Sequence, residues 1–173
     1  PRDALGALAA AMMRAGATPG CHAAREVLRI RAGVARIATD MPKDSGTTPL
    51  ELGLSDAVSL DKGCYLGHEA LAMQSWRGQL RRHLTWLRVD RPATEDDEGG
   101  GEFALPAPGE RMRTEAGKRA GWTGGGYVLP NGERVALGLV QRRAFVVGAQ
   151  LQTADSDVTW TVLGTTTAEV FTA

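Results

Sequence analysis

The sequence predicts an α+β chain with helices first and a small antiparallel β-barrel after them, and three observations carry the prediction. Up to about Ser75 the chain is rich in Ala, Leu and Met at helical spacing. From about Arg77 it turns to short alternating apolar runs punctuated by glycine. With 173 residues, 43% of them hydrophobic, it is long enough for one sizeable core or two small ones. The change of texture divides it into residues 1–76 and 77–173.

The first helix is expected over Asp3 to Arg14, capped by Asp3 and stopped by Gly16. A second runs from about His22 to Ala32, with Ala24, Val27, Leu28 and Ile30 as its apolar face and Gly33 closing it. Between Asp40 and Leu60, Pro42, Gly46, Pro49 and Gly53 among polar residues predict a long ordered loop of the kind that lines a site. A short helix then ends near Ser75. Strands follow at Leu80 to Val89, Glu110 to Arg113, Lys118 to Trp122, Val135 to Val140, Gln150 to Thr153, Val158 to Leu163 and Thr166 to Phe171. The breaks at Pro130-Asn131-Gly132, Gly148 and Asp155-Ser156-Asp157 make a barrel or sandwich of about six strands.

Twenty basic and twenty acidic side chains cancel, which argues against a broad nucleic-acid footprint. The five arginines between Arg77 and Arg91, followed by Glu95-Asp96-Asp97-Glu98 and three glycines, read as a solvated strand edge beside an acidic flexible loop rather than a binding patch. No apolar run is long enough to span a bilayer, and no signal-peptide order is present, so a cytoplasmic protein with free thiols at Cys21 and Cys64 is expected. Trp122 beside Gly124-Gly125-Gly126 reads either as an exposed docking aromatic or as a tryptophan folded onto the barrel next to a flexible hairpin. His83 reads as a surface or groove residue.

The segment with chemical content is Lys62-Gly63-Cys64-Tyr65-Leu66-Gly67-His68-Glu69. A cysteine between two glycines, beside a lysine and ahead of a helix start, suits a reactive thiol, because positive charge and the helix N-terminus both favour thiolate. It also suits a tight turn with a cysteine filling an apolar space, and both readings stay open. Cys64 and His68, four apart, could face one ion with Cys21-His22, but paired ligands such as CxxC or HxxxH are absent and no metal site is expected.

The octapeptide resembles the signature of the YgfZ family, relatives of the glycine-cleavage aminomethyltransferase (T-protein, GcvT), with His68 where the usual form has Gln. Leu28-Arg29-Ile30-Arg31-Ala32-Gly33, Thr48-Pro49-Leu50-Glu51 and Trp76-Arg77-Gly78 resemble further family segments. Gly117-Lys118-Arg119-Ala120-Gly121 and Val135 to Val140 look like its terminal barrel. The resemblance implies the second half of a GcvT/YgfZ-like folate-binding domain over residues 1–76, followed by a C-terminal β-barrel over 77–173. The first α+β part has no counterpart here. It further implies a folate-dependent accessory protein supporting iron–sulfur enzymes and tRNA modification. In that role Cys64 is the working thiol, Lys62 keeps it ionised and Glu69 serves as acid, base or brace. Gly63, Tyr65, Gly67, His68 and Arg31 would border tetrahydrofolate. Arg31, however, stands where the aminomethyltransferases carry a glutamate that accepts from the pterin, and an arginine has no acceptor to offer. The implied partners are iron–sulfur proteins or their assembly factors and a polypeptide supplying the missing half, with no direct nucleic acid and no membrane. The alternatives are an aminomethyltransferase moving one carbon from a lipoyl arm to tetrahydrofolate, or a non-catalytic binding module.

Overall fold

The computed structural model describes residues 4–43, 45–90, 107–129, 131–153 and 158–166. Four helices, α1 (Leu5–Arg14), α2 (His22–Arg31), the single-turn α3 (Ile37–Asp40) and α4 (His68–Trp76), precede six strands. These are β1 (Arg82–Asp90), β2 (Arg111–Thr114), β3 (Arg119–Val128), β4 (Arg134–Gln141), β5 (Gln150–Thr153) and β6 (Thr159–Thr165). All pairings are antiparallel and the sheet closes on itself in the order β1-β4-β3-β2-β5-β6. The expected α+β order and barrel are therefore present. The cap at Asp3, the acidic stretch Glu95 to Gly101, Pro130, the turn Asp155 to Asp157 and most of the strand expected over Thr166 to Phe171 lie outside the described residues. No helix among the described residues is long and apolar enough to cross a membrane.

Two apolar clusters explain the sequence pattern. Leu87, Met112, Ala120, Ala136, Leu151 and Trp160, one from each strand, fill the barrel interior. Ile30, Leu52, Leu84, Trp86, Val135, Leu137 and Leu139 form the second cluster, where α2 and the loop after α3 cover the outside of β1 and β4. Strand β4 is thus apolar on both faces, which is why Val135 to Val140 is one continuous buried run. Trp86 donates from Nε1 to the Ile30 carbonyl at 2.7 Å, fastening the end of α2 to β1.

Several expectations need correction. The inner face of α2 is Glu26 and Ile30, while Ala24 and Leu28 face solvent. Its N-cap is Cys21, whose Sγ accepts from the Ala24 N–H at 3.5 Å. Gly124-Gly125-Gly126 is no hairpin but lies within β3, at a bulge where the register with β4 shifts between Thr123 and Gly126. Glycine is required there by close approach. A Cβ on Gly124 would lie 2.6 Å from the Leu137 carbonyl oxygen, and one on Gly125 would lie 2.9 Å from Arg29 Nη2. Trp122 packs partly buried against the second cluster, with the Arg82 guanidinium 5.5 Å from its ring centroid. Nor is β1 an edge, because it pairs with β4 on one side and β6 on the other.

Two charged clusters hold the helical layer on the barrel. In the first, Asp40 accepts from Arg29 Nη1 at 2.6 Å, from the Arg36 N–H at 2.7 Å and, through its other oxygen, from the Gly125 N–H at 2.7 Å. Glu26 joins it through Arg29 and Arg36. In the second, the fully buried Glu51 carboxylate takes a forked pair from Arg82, Nε at 3.1 Å and Nη2 at 2.8 Å, and the Thr48 N–H at 3.0 Å. Arg82 also donates to the Ser45 and Gly46 carbonyls. One of the five arginines read as solvated is thus only 4% exposed.

These environments give stability a direction with pH. Burial pushes the Glu26 carboxyl up, but the Arg29 hydrogen bond and charge, aided by Arg36 and His22, outweigh it and hold the group below its ordinary 4.5. Burial first, then the Arg142 charge, hold His83 below its ordinary 6.5 against an opposing pull from Glu51. In both cases the unfolded chain takes up the proton first on acidification, so each contribution is present at neutral pH and lost as pH falls. Urea midpoints are expected to decline below about pH 6.5 and again below about 4.5, with Glu26→Gln flattening only the second step. A midpoint that rises on acidification would contradict both assignments.

Candidate functional site

The octapeptide is built as a turn leading into α4. Gly63 and Gly67 have φ of 90° and 86°, left-handed values that strain any side chain, and Gly67 is the N-cap residue of α4. The His68 N–H donates to the Tyr65 carbonyl at 3.0 Å and the Leu71 N–H to the Gly67 carbonyl at 3.2 Å. Side chains then tie this turn to the preceding loop. Tyr65 donates its hydroxyl proton to the Ser59 carbonyl at 2.9 Å, and His68 Nε2 lies 3.0 Å from the Leu60 carbonyl, which fixes its proton on Nε2. The Tyr65 and His68 rings meet at 4.8 Å, and the Lys62 ammonium sits 4.9 Å from the Tyr65 ring centroid.

Lys62, Tyr65 and His68 therefore form one stacked group, with the lysine charge resting on the tyrosine ring. Cys64 is free and exposed in the same loop. Glu69 is exposed in the first turn of α4, where its charge suits the helix N-terminus. Neither the Cys64 nor the Glu69 side chain makes a hydrogen bond or ion pair among the described residues. Arg31 stands apart, exposed at the C-terminal end of α2. Among the described residues no three of His, Cys, Asp and Glu converge to hold a metal ion.

Beside the turn is a cleft of about 380 Å³. Its walls are Thr47, Thr48 and Pro49 from the loop anchored by Glu51, Ala57, Val58 and Ser59 from the next turn, and Lys62, Tyr65, Leu66, Gly67, Ala70 and Leu71 from the octapeptide and α4. Apolar walls with a few hydroxyls, one aromatic ring and one ammonium can hold a flat, partly polar molecule, and the size is at the low end for ligand sites. Sequence reasoning found the octapeptide as one wall and expected the loop over Asp40 to Leu60, which supplies Thr47 to Pro49 and Ala57 to Ser59, to line a site. It did not single out Thr47, Val58 or Leu71 or set the loop against Tyr65, since only the fold brings residues 47–49 to residues 65–71.

No protein-family profile matches the chain. It is similar to the aminomethyltransferase of Moorella thermoacetica, 31% identical over 144 residues, covering 83% of this chain and 35% of that relative. The aminomethyltransferase of Rubrobacter xylanophilus is 39% identical over 80 residues, 46% of this chain and 21% of that relative. The crystal structure of glycine cleavage system aminomethyltransferase T from Bartonella henselae superposes with a TM-score of 0.57 at 23% identity, over 84% of this chain and 38% of that one. The fold is therefore that of part of an aminomethyltransferase, ending in a closed six-stranded barrel. The chain spans about a third of the length of the Moorella relative.

Proposed function

We propose that this chain is the barrel-bearing part of an aminomethyltransferase-like, folate-dependent protein, with the cleft beside Tyr65 as its ligand contact. The observation that carries the reading is the similarity to aminomethyltransferases along 83% of the chain. The cleft is compatible with a flat heteroaromatic ring through Tyr65, Pro49, Val58 and Leu71, with the hydroxyls of Thr47 and Thr48 available to its polar edge. Tetrahydrofolate, where bound, supplies the acceptor for a one-carbon unit. This chain's own residues hold and orient it.

Completion by a further polypeptide segment is part of the proposal. Helix α1 has no buried residue, and Leu5, Leu8, Met12 and Met13 are each at least half exposed. A ten-residue helix without a packed face is marginal in water. A second, finer reading, a YgfZ-like accessory role toward iron–sulfur proteins or their assembly factors, is favoured by Cys64 being free and exposed beside the cleft. A single thiolate can ligate iron, but a cluster would need ligands from a partner as well.

A titration and a rescue assay address the two readings separately. Tetrahydrofolate added to the protein is expected to give saturable binding by calorimetry, weakened about tenfold or more by Leu71→Arg, which places a charge in the cleft. Cys64→Ala is expected to keep that binding but abolish rescue of iron–sulfur enzyme activity if the thiol role holds. Absence of saturable binding, or binding indifferent to Leu71→Arg, would sink the folate reading. Full rescue by Cys64→Ala would sink the thiol role alone.

A further inference from the structure

After β4 the chain enters a short 3₁₀ turn, Arg142–Ala144, which sets two consecutive arginines beside Arg81, the residue preceding β1. The Arg142 N–H donates to the Arg81 carbonyl at 2.9 Å, so the barrel backbone itself brings these residues together. Arg81, Gln141, Arg142 and Arg143 line a hollow of about 490 Å³. Arg81 is also a wall of a second hollow of about 310 Å³, which Arg77, Gln74 and Gln79 share. The two hollows share Arg81 as a wall, and taken together as a trough they are lined by four arginines, Arg77, Arg81, Arg142 and Arg143.

Little in the fold neutralises them. Arg77, Arg142 and Arg143 have no carboxylate partner among the described residues. Arg81 reaches only Glu51, at 3.9 Å, and that carboxylate is already engaged more closely by Arg82. Arg142 donates to Gln79 Oε1 and Arg143 to the Arg119 carbonyl, contacts that orient two of the side chains while leaving most of their five donors unused. The whole chain carries no net charge, so this concentration is local. Guanidinium groups held together repel one another, and their planar forks match phosphate and carboxylate oxygens in pairs.

We propose that this trough binds a compact oligoanion, a small molecule bearing several phosphate or carboxylate groups. Two hollows of a few hundred Å³ suit such a ligand better than a nucleic-acid strand, because neither is lined by an aromatic side chain on which bases would stack. The second hollow adjoins the cleft at Tyr65, sharing Thr48 and Ala70 with it, but the proposal rests on the arginines and not on the folate reading.

Calorimetric titration with sodium tripolyphosphate and, separately, with citrate tests it and shows which oxyanion is preferred. Saturable binding of at least one is expected, weakened by added salt and about tenfold or more by the double variant Arg81→Gln, Arg142→Gln. Arg81 and Arg142 are both exposed, so the double variant is expected to keep the fold, which an unaltered thermal melt would verify. Arg111→Gln, on the exposed side of β2, should leave the affinity unchanged. A second readout is His83, whose ring packs 5.6 Å from Phe145 and feels the Arg142 charge. Filling the trough should raise its titration midpoint in an NMR experiment. No binding of either anion, equal affinity in the double variant, binding that leaves His83 unmoved, or binding of an RNA oligomer alone would each overturn the proposal.

Discussion

Arg82→Ala is expected to destabilise the protein by about 3–5 kcal/mol, read as a lowered urea midpoint, because it strands the buried Glu51 carboxylate with no fork opposite it and only the exposed Arg81, at 3.9 Å, as a counter-charge. The same change removes the donors that satisfy the Ser45 and Gly46 carbonyls. Arg82→Lys should lose less, since charge remains while the two-pronged match to Glu51 Oε1 and Oε2 does not. Replacing both partners together with leucines should cost less than Arg82→Ala alone, as expected when the penalty lies in the orphaned charge. The consequence reaches the cleft. Glu51 fixes Thr48 through its backbone N–H, and Thr48 in turn donates its hydroxyl proton to Gln74 Oε1 on α4 at 2.7 Å. Loosening Arg82 therefore frees the wall formed by Thr47, Thr48 and Pro49. A loss below about 1 kcal/mol would show that the ion pair is not what holds this loop on the barrel.

These two charged clusters also mark where reading the sequence stops. The barrel strands were legible because each carries its own evidence. Val158 to Leu163 alternates, Val135 to Val140 is a short continuous apolar run, and glycine or proline separates the pieces. The turn at Gly63 and Gly67 and the helix after it were legible for the same local reason. Arg82 was not, because its environment is made by Glu51, 31 positions earlier. The glycines of β3 were misread as a flexible hairpin because what demands them is Asp40 and Arg29 pressing from α3 and α2, which no window around Gly124 contains. On α2 the helical period was right and the buried face right only in part, since Ile30 is buried as expected while Ala24 and Leu28 are not. Glu26 is buried because Arg29 and Arg36 neutralise it, and Leu28 is exposed because the helix presents that side away from the barrel. In the candidate site, composition around Cys64 pointed to the loop, whereas the placement of Lys62 on Tyr65 depends on both side chains' geometry.

Asp40 offers the sharper test of how the helical layer is pinned to the barrel. Its side chain is fully buried at the end of a four-residue helix, too short to be held by its own hydrogen bonds. Three donors converge on it, from α2, from the start of α3 and from the β3 bulge. Asp40→Ala should cost about 3–5 kcal/mol, because it leaves the Arg36 and Gly125 N–H groups without their acceptor and the Arg29 guanidinium with Glu26 as its remaining carboxylate, one of its nitrogens, Nη2, already without a partner. Asp40→Asn keeps an oxygen for one or two of the donors while deleting the charge, and about 1.5–3 kcal/mol is expected. Hydrogen exchange separates this local pin from a general loss of stability. The Gly125 amide, bonded to Asp40 rather than to a neighbouring strand, should lose its protection in Asp40→Ala even where β4 amides such as Leu137 and Leu139 remain slow. If Gly125 and the β4 amides accelerate together, the carboxylate contributes only to global stability. If none of them changes, the cluster is ornamental and α2 is held by Ile30 and Trp86 alone.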